Sequence, residues 1–223
     1  MGATVGGRPT GLTSGSRRLD AGPDDLPYTA GWSVAAIAVH SVLQIPVPMI
    51  LRLMPPDRGT ILVDFRHHAF AWEHSMKDFP IAPTAVGVET VPVLDDDPAP
   101  FSLPGQNLDI LLWSVGLHSF ADRPASWLRA GDRHHLVRWP NLTTMRHTVD
   151  HMRLTALLGN GWFTVRELAT AAGVPEGDAS AIVNALSLMG VLESVPSEEG
   201  VAAPEIAPSR GGLIQRLRAR LGF

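Results

Sequence analysis

Two tryptophans are interspersed among the arginines between residues 123 and 153, and this mixture could bind an anion. A guanidinium group presents planar N–H donors that match the oxygens of a carboxylate or phosphate, and it also stacks on aromatic rings. Local ion pairing on a helix face is the simpler interpretation of the same residues. The candidate site for a phosphate, a nucleotide or another anion comprises Arg133, Arg138, Trp139, Arg146 and Arg153.

Two of the nine histidines have the spacing of a metal-ligand pair. His147 and His151 are four residues apart, so both imidazoles would face one side of a helix. The neighbouring Arg146 and Arg153 would repel a cation, and the chain has no H-E-x-x-H motif. The acidic run 95–97 lacks the spaced ligands of a calcium loop and is interpreted as a solvated loop. We therefore predict polar-network histidines and neither a metal nor another cofactor.

No arrangement typical of an enzyme active site stands out in the sequence. The absence of cysteine excludes thiolate nucleophiles, thiolate zinc sites and disulfides together. Neither the phosphate-binding loop G-x-x-x-x-G-K-[ST] nor the nucleophile motif G-x-S-x-G occurs. The net charge of −4 gives no general affinity for polyanions. These observations favour a non-enzymatic protein.

The last eleven residues form a second candidate site, one for protein contact. On a helix, their leucines would share one face with arginines beside them. Such a basic amphipathic peptide, tethered by a linker at 196–212, suits a hydrophobic groove with an acidic rim on another protein. The alternatives are a helix that lies on a membrane surface and packing of the peptide onto its own domain. The predicted contact residues of this tail (213–223) are Leu213, Ile214, Arg216, Leu217, Arg220 and Leu221.

The element best defined by the sequence is a helix-turn-helix over residues 164–192. Thr164 and Glu167 have the spacing of a capping box, in which each side chain accepts a hydrogen bond from the other residue's backbone N–H. Gly173 suits the left-handed position that ends a first short helix. The second helix is predicted to end at Gly190, and a wing strand is expected to follow.

The segment 141–195 resembles the winged helix-turn-helix superfamily. In DNA-binding members the second helix enters the major groove, and lysines and arginines contact phosphates and bases. Here that helix contains Glu176 and Asp178, and Arg166 is the only basic residue between 161 and 200. We therefore expect a module for protein contact or dimerisation without strong nucleic-acid binding. The residues that carry the resemblance are Leu168, Ala169, Gly173, Val174, Ile182 and Leu186.

The preceding residues, 31–140, are predicted to form an α+β domain. Strands are expected at 60–65 and 70–72, with more strand around 86–93, where Pro92 favours an edge position. A helix is expected at 107–117, and a short strand at 133–139. One face of the first hairpin is predicted to be buried through Ile61, Val63, Phe65, Phe70 and Trp72.

The winged module is expected to open with a helix capped by Asn141 or Thr143. Apolar residues spaced three and four apart should then face the core. The residues of this stripe are Leu142, Met145, Val149, Met152 and Ala156.

An uncharged run at 31–51 is long enough to cross a membrane. Pro46 and Pro48 would break a spanning helix and leave carbonyl groups unpaired in hydrocarbon, so we favour a buried core segment. Residues 1–30 are rich in Gly, Ser, Thr and Pro, and they predict a disordered leader without a secretory signal.

The sequence thus predicts an α+β protein: a small mixed sheet with helices, a C-terminal winged helix-turn-helix module, a disordered N-terminus and a tethered amphipathic tail. The function favoured is that of a non-enzymatic cytoplasmic adaptor or regulatory protein, with homodimerisation as an additional expectation. The alternative is a winged-helix transcription regulator that binds DNA.

Overall fold

The computed structural model describes residues 31–196, and within this range the chain has an α+β architecture. It contains a five-stranded antiparallel sheet, a two-stranded sheet and five α-helices. The helices are α1 (Ser33–Leu43), α2 (Leu108–Ser119), α3 (Val149–Asn160), α4 (Val165–Ala172) and α5 (Glu176–Leu188). The strands are β1 (Met49–Met54), β2 (Ile61–Asp64), β3 (Ala69–Ala71), β4 (Gly87–Pro92), β5 (Gln106–Asn107), β6 (Arg133–Leu136) and β7 (Leu192–Val195).

The larger sheet has the strand order β4-β1-β2-β3-β5, and all of its neighbours pair antiparallel. The prediction of a mixed sheet is therefore wrong. The connections from β1 to β2 and from β2 to β3 are too short for the crossover that a parallel pair needs. Strand β4 lies at one edge of the sheet, as Pro92 indicated, because an edge strand tolerates a missing N–H donor.

The first hairpin buries most of its predicted face. Ile61, Val63 and Phe70 are fully buried, and Val63 pairs directly with Phe70. Phe65 is only half-buried, so the prediction for this residue is wrong. Strand β2 ends at Asp64, whose carboxylate accepts the N–H of the second residue on and turns the chain into a 3₁₀ turn, Phe65–His67.

Helix α3 begins later than predicted. The Asn141 side chain caps only a 3₁₀ turn, and α3 starts at Val149 with Thr148 as its cap. The later start changes which residues face the core, and the predicted stripe is wrong for this helix. Val149 and Met152 are 66% and 42% exposed, while the buried leucines of α3 are Leu154 and Leu158.

Two helices, α4 and α5, are formed within the segment 164–192. The capping box of Thr164 and Glu167 is complete at the start of α4, and Gly173 ends that helix with a φ of 67°. Strand β7 follows α5 and pairs antiparallel with β6. The strand predicted at 133–139 is thus confirmed as far as Leu136.

One hydrophobic core connects α1, the larger sheet, α2 and α5. Helices α2 and α5 approach so closely that a Cβ atom on Gly116 would lie 2.4 Å from the Cα of Ala185. Every residue of 179–189 is buried or half-buried. On another side of α5, the Asn184 side chain accepts a hydrogen bond from the backbone N–H of Ala125 and donates one to the carbonyl of Arg123. Helix α5 is therefore enclosed along most of its length.

The α1 part of the apolar run 31–51 contributes to this core, as predicted, but the prediction of a buried segment is wrong for residues 43–47, all of which are exposed. Trp32, Ala35, Ala36 and Val39 are buried on α1 or at its start. Among the helices of residues 31–196, none has the length and apolar character required to cross a bilayer. The predictions for the leader 1–30 and the tail 213–223 lie outside the described residues.

Candidate functional sites

A groove with apolar walls lies between the end of α1, the start of β1 and the loop after β4. Its volume is about 360 Å³. Leu43, Ile45 and Val47 contribute to its walls and remain 42–49% exposed. The groove also includes Val42, Pro46, Pro48, Phe65, Arg66 and Asp95. Exposed apolar side chains grouped in this way are typical of a contact surface. We call this site the apolar groove.

An arginine–aspartate pair fixes the rim of the apolar groove. The Arg66 guanidinium donates to both carboxylate oxygens of buried Asp64, at 3.0 and 2.7 Å, and also to the carbonyls of Leu94 and Asp97. Burial alone would raise the pKa of Asp64, but hydrogen bonds from Arg66 and its charge hold that pKa below its usual value. The ionised pair therefore anchors the loop 94–97 to the sheet.

This anchored loop makes the rim acidic. Asp95, Asp96 and Asp97 are all exposed, and the charge of Arg66 is already matched by Asp64. The side chain of Asp97 accepts the backbone N–H of Leu94, which keeps the turn closed. The apolar groove thus combines exposed hydrophobic walls with a local excess of carboxylates at one side, where Asp95 lines it.

A second concave site, the histidine cleft, lies where α2 meets the residues before α3. Its volume is about 310 Å³. Its lining mixes apolar and aromatic side chains with polar ones, since His118 stacks on Phe79 and His151 contacts Trp113 edge-on. The lining residues are Met76, Phe79, Ile81, Trp113, Ser114, Leu117, His118, Arg146, His147, Thr148 and His151.

A hydrogen bond from Trp113 and the N-terminal cap of α3 position the polar residues of the histidine cleft. The Trp113 indole N–H donates to the carbonyl of Arg146 over 2.9 Å, and so ties the segment before α3 to α2. The Thr148 hydroxyl accepts the backbone N–H of His151 and caps α3. His147 Nδ1 donates to the Met145 carbonyl at 2.9 Å, which leaves its Nε2 as the acceptor when the ring is neutral.

Two histidines of the cleft are held toward their neutral form. Desolvation lowers the pKa of His151, which contacts the Trp113 ring edge-on at a centroid distance of 5.7 Å. The ring of His118 stacks on Phe79, and part of the ring stays exposed. Desolvation lowers the pKa of His118 as well, and the positive charges of His151 and Arg146 lower it by smaller amounts. Buried Nδ1 of His151 has no hydrogen-bond partner within the described chain.

The predicted arginine site is divided among different partners. Arg133 pairs with Glu167 at 2.6 Å, and Arg153 pairs with Asp150 at 3.0 Å. Trp139 is 56% exposed and lies beside Gly159 of α3, and Arg138 is exposed. Arg146 alone of the five lines the histidine cleft. Local pairing on a helix face, the simpler interpretation, describes Arg153, whereas Arg133 lies on β6 and pairs with a residue of α4.

The described residues, 31–196, contain no group of three or more His, Asp or Glu side chains arranged to hold a metal ion. His147 and His151 line one cleft together with His118 and Arg146, but they do not share a helix face as predicted, because His147 precedes α3. Sequence reasoning missed His118 because its contribution depends on the packing of α2 against the segment before α3. It also missed the apolar groove, for which the run Ile45-Pro46-Val47-Pro48 was the available signal.

Comparisons with known proteins give no relative from which a role could be transferred. The chain matches no protein-family model, no curated protein and no solved structure. Function must therefore be argued from the apolar groove, the histidine cleft and the enclosed α5.

Proposed function

We propose that this chain is a non-enzymatic cytoplasmic regulatory protein that acts through protein–protein contacts. The observation that carries the proposal is the apolar groove with its acidic rim. Leu43, Ile45 and Val47 expose apolar surface at one place, where binding a partner would remove it from water. In this proposal residues 141–195 are a winged-helix type module used for packing and contact.

The groove fits a basic amphipathic helix. Apolar side chains of such a helix would lie against Leu43, Ile45 and Val47, and its arginines would face the acidic rim at 95–97. The tail 213–223 has this composition, with leucines and arginines at helical spacing. A second copy of the chain can supply the tail, and this copy is the partner that we propose.

The alternative, a DNA-binding winged-helix regulator, requires an accessible second helix. Helix α5 has no exposed residue between 179 and 189, because α2 and the segment 120–128 cover it. Its exposed first turn contains Glu176 and Asp178, which would repel the phosphates of a duplex. These observations favour protein contact over DNA contact for this module.

The decisive experiment measures self-association of the full chain by light scattering or sedimentation. A groove variant (Ile45→Asp with Val47→Asp) and a tail variant (Leu217→Asp with Leu221→Asp) should each be monomeric where the unchanged chain associates. Both groove positions are exposed, so the groove variant should keep its melting temperature. Mixing the two variants should restore a heterodimer, because each retains the half that the other lacks.

A chain that stays monomeric at all accessible concentrations would refute the second copy as partner. Association that survives both double substitutions would place the contact elsewhere. For the DNA alternative, retention on duplex DNA at physiological salt is measured with the same full-length proteins. Salt-sensitive retention lost on substitution of Arg166 would favour the regulator instead.

A further inference from the structure

The histidine cleft has the size and lining of a small-molecule site, and the proposed protein contacts do not use it. Its volume of about 310 Å³ lies near the lower end of ligand pockets, which span ~300–1,000 Å³. Among its apolar lining residues, Ile81 is 58% exposed and Leu117 is half-buried, while Phe79 and Trp113 are buried. The cleft therefore offers an apolar surface to a compact ligand.

One fixed positive charge faces this surface. The Arg146 guanidinium donates to the Lys77 carbonyl at 3.3 Å, and no carboxylate of residues 31–196 lies within ion-pair distance of it. Since the pKa values of His118 and His151 are lowered, those rings add hydrogen-bonding capacity rather than charge at neutral pH. A ligand with one negative charge would balance the cleft.

The residues that line the cleft also include hydrogen-bonding groups not used within the described chain. His151 Nδ1 is buried and has no partner in the described chain, and such a group costs free energy unless something pairs with it. The Nε2 atom of His147 is also left as an acceptor by the bond from its Nδ1. These polar atoms, together with the apolar and aromatic lining residues, suit an amphipathic ligand.

We propose that the histidine cleft binds a small organic monocarboxylate, whose carboxylate pairs with Arg146 and whose apolar body lies against Phe79, Trp113 and Leu117. The fork of N–H donors on Arg146 matches a carboxylate. A single guanidinium matches one negative charge better than the two of a phosphate monoester. The site is separate from the apolar groove, so it would make the protein responsive to a metabolite of this class.

The test uses the full-length protein with isovalerate, phenylacetate and indole-3-acetate as probes, followed by calorimetry and saturation-transfer NMR. At least one probe should bind with a Kd below about 1 mM. Phenylacetamide, which lacks the charge, and inorganic phosphate, which lacks the apolar body, should each bind at least about tenfold more weakly.

Three variants connect the binding to the cleft. Arg146→Gln should weaken the best probe by about tenfold or more, because it removes the charge that orients the carboxylate. Ile81→Asp should also weaken it, since Ile81 lines the cleft and is 58% exposed, so the fold should tolerate the change. Arg138→Gln, at an exposed arginine that does not line the cleft, is the matched control and should bind normally.

Several outcomes would overturn the proposal. Failure of all three monocarboxylates to bind would do so, as would equal affinity of the Arg146→Gln protein with an unchanged melting temperature. Tighter binding of phosphate than of any monocarboxylate would assign the cleft to inorganic anions instead.

Discussion

The contact between α2 and α5 predicts that Gly116→Ala destabilises the protein. A Cβ atom at residue 116 would lie 2.4 Å from the Cα of Ala185 and 2.9 Å from its backbone nitrogen. Ordinary contact begins near 3.4 Å, so the two helices would have to separate by about 1 Å. Backbone atoms cannot move aside as a flexible side chain can, and the strain must spread through the surrounding core.

Two opposing contributions determine how much stability Gly116→Ala loses. Alanine in a helix interior is favoured over glycine by roughly 0.5–1 kcal/mol. Overpacking a well-packed core costs typically 1–3 kcal/mol, and a clash with backbone belongs at or above the upper end of that range. We expect a net loss of about 2 kcal/mol in the free energy of unfolding, which lowers the melting temperature by roughly 4–8 °C.

Gly159→Ala provides a matched control in another helix. Its Cβ atom would meet the Trp139 ring at 3.4 Å, which is ordinary contact, so the substitution should be neutral or stabilising by up to about 1 kcal/mol. Denaturant unfolding monitored by circular dichroism measures both variants. If Gly116→Ala were as stable as the unchanged protein, the close approach of α2 and α5 would be incorrect.

The remaining predictions concern the hairpin and the buried histidine. Phe70→Ala should lower the free energy of unfolding by about 3–5 kcal/mol because Phe70 is fully buried. Phe65→Ala, at a half-buried position, should lower it by less than half as much. Equal losses in urea unfolding would contradict the difference in burial. Desolvation lowers the pKa of His134 below the usual 6.5, so below pH 6.5 the unfolded chain binds a proton that the folded chain does not. The protonation of His134 should therefore leave the free energy of unfolding unchanged above pH 6.5. As the pH falls below 6.5, it should lower that free energy by at most about 1.4 kcal/mol per pH unit. His134→Gln should flatten that decline, while His135→Gln on the same strand serves as control; an unchanged slope in His134→Gln would show that other groups cause it.

The sequence predicted the elements that depend on local interactions. The capping box at Thr164 and the left-handed Gly173 depend on contacts within a few residues, so the pattern alone located them. The helix expected at 107–117 is also present as α2, and its Leu108, Leu111 and Val115, spaced three and four apart, are all buried. Local propensity and tertiary packing agree in these segments.

The wrong predictions share a different physical cause. At Phe65 the apolar alternation continues, but the buried Asp64–Arg66 pair ends the strand one residue earlier. Before α3, Asn141 has the features of a helix cap and caps only one 3₁₀ turn. In both cases a short-range signal specified a turn. The length of the element beside that turn depended on contacts with distant segments.

The candidate sites were less predictable than the elements. Arg146 was predicted as an anion-binding residue, but its cleft also requires Phe79 and Trp113, more than 30 residues away in the chain. The apolar groove similarly joins the end of α1 with a loop about fifty residues later. Spacing along the sequence carries little information about such long-range neighbours, so the sites required the structure.

The pairing of α2 with α5 has a consequence for how the chain is made. Translation proceeds at roughly 5–20 residues per second, so α5 leaves the ribosome several seconds after α2. During that interval the surface around Gly116 that α5 later covers is open, as is the edge of β6 that later pairs with β7. An uncovered apolar helix and an unpaired strand edge are the features through which nascent chains aggregate. We therefore expect the newly made chain to depend on protection until the end of the helix-turn-helix has been synthesised.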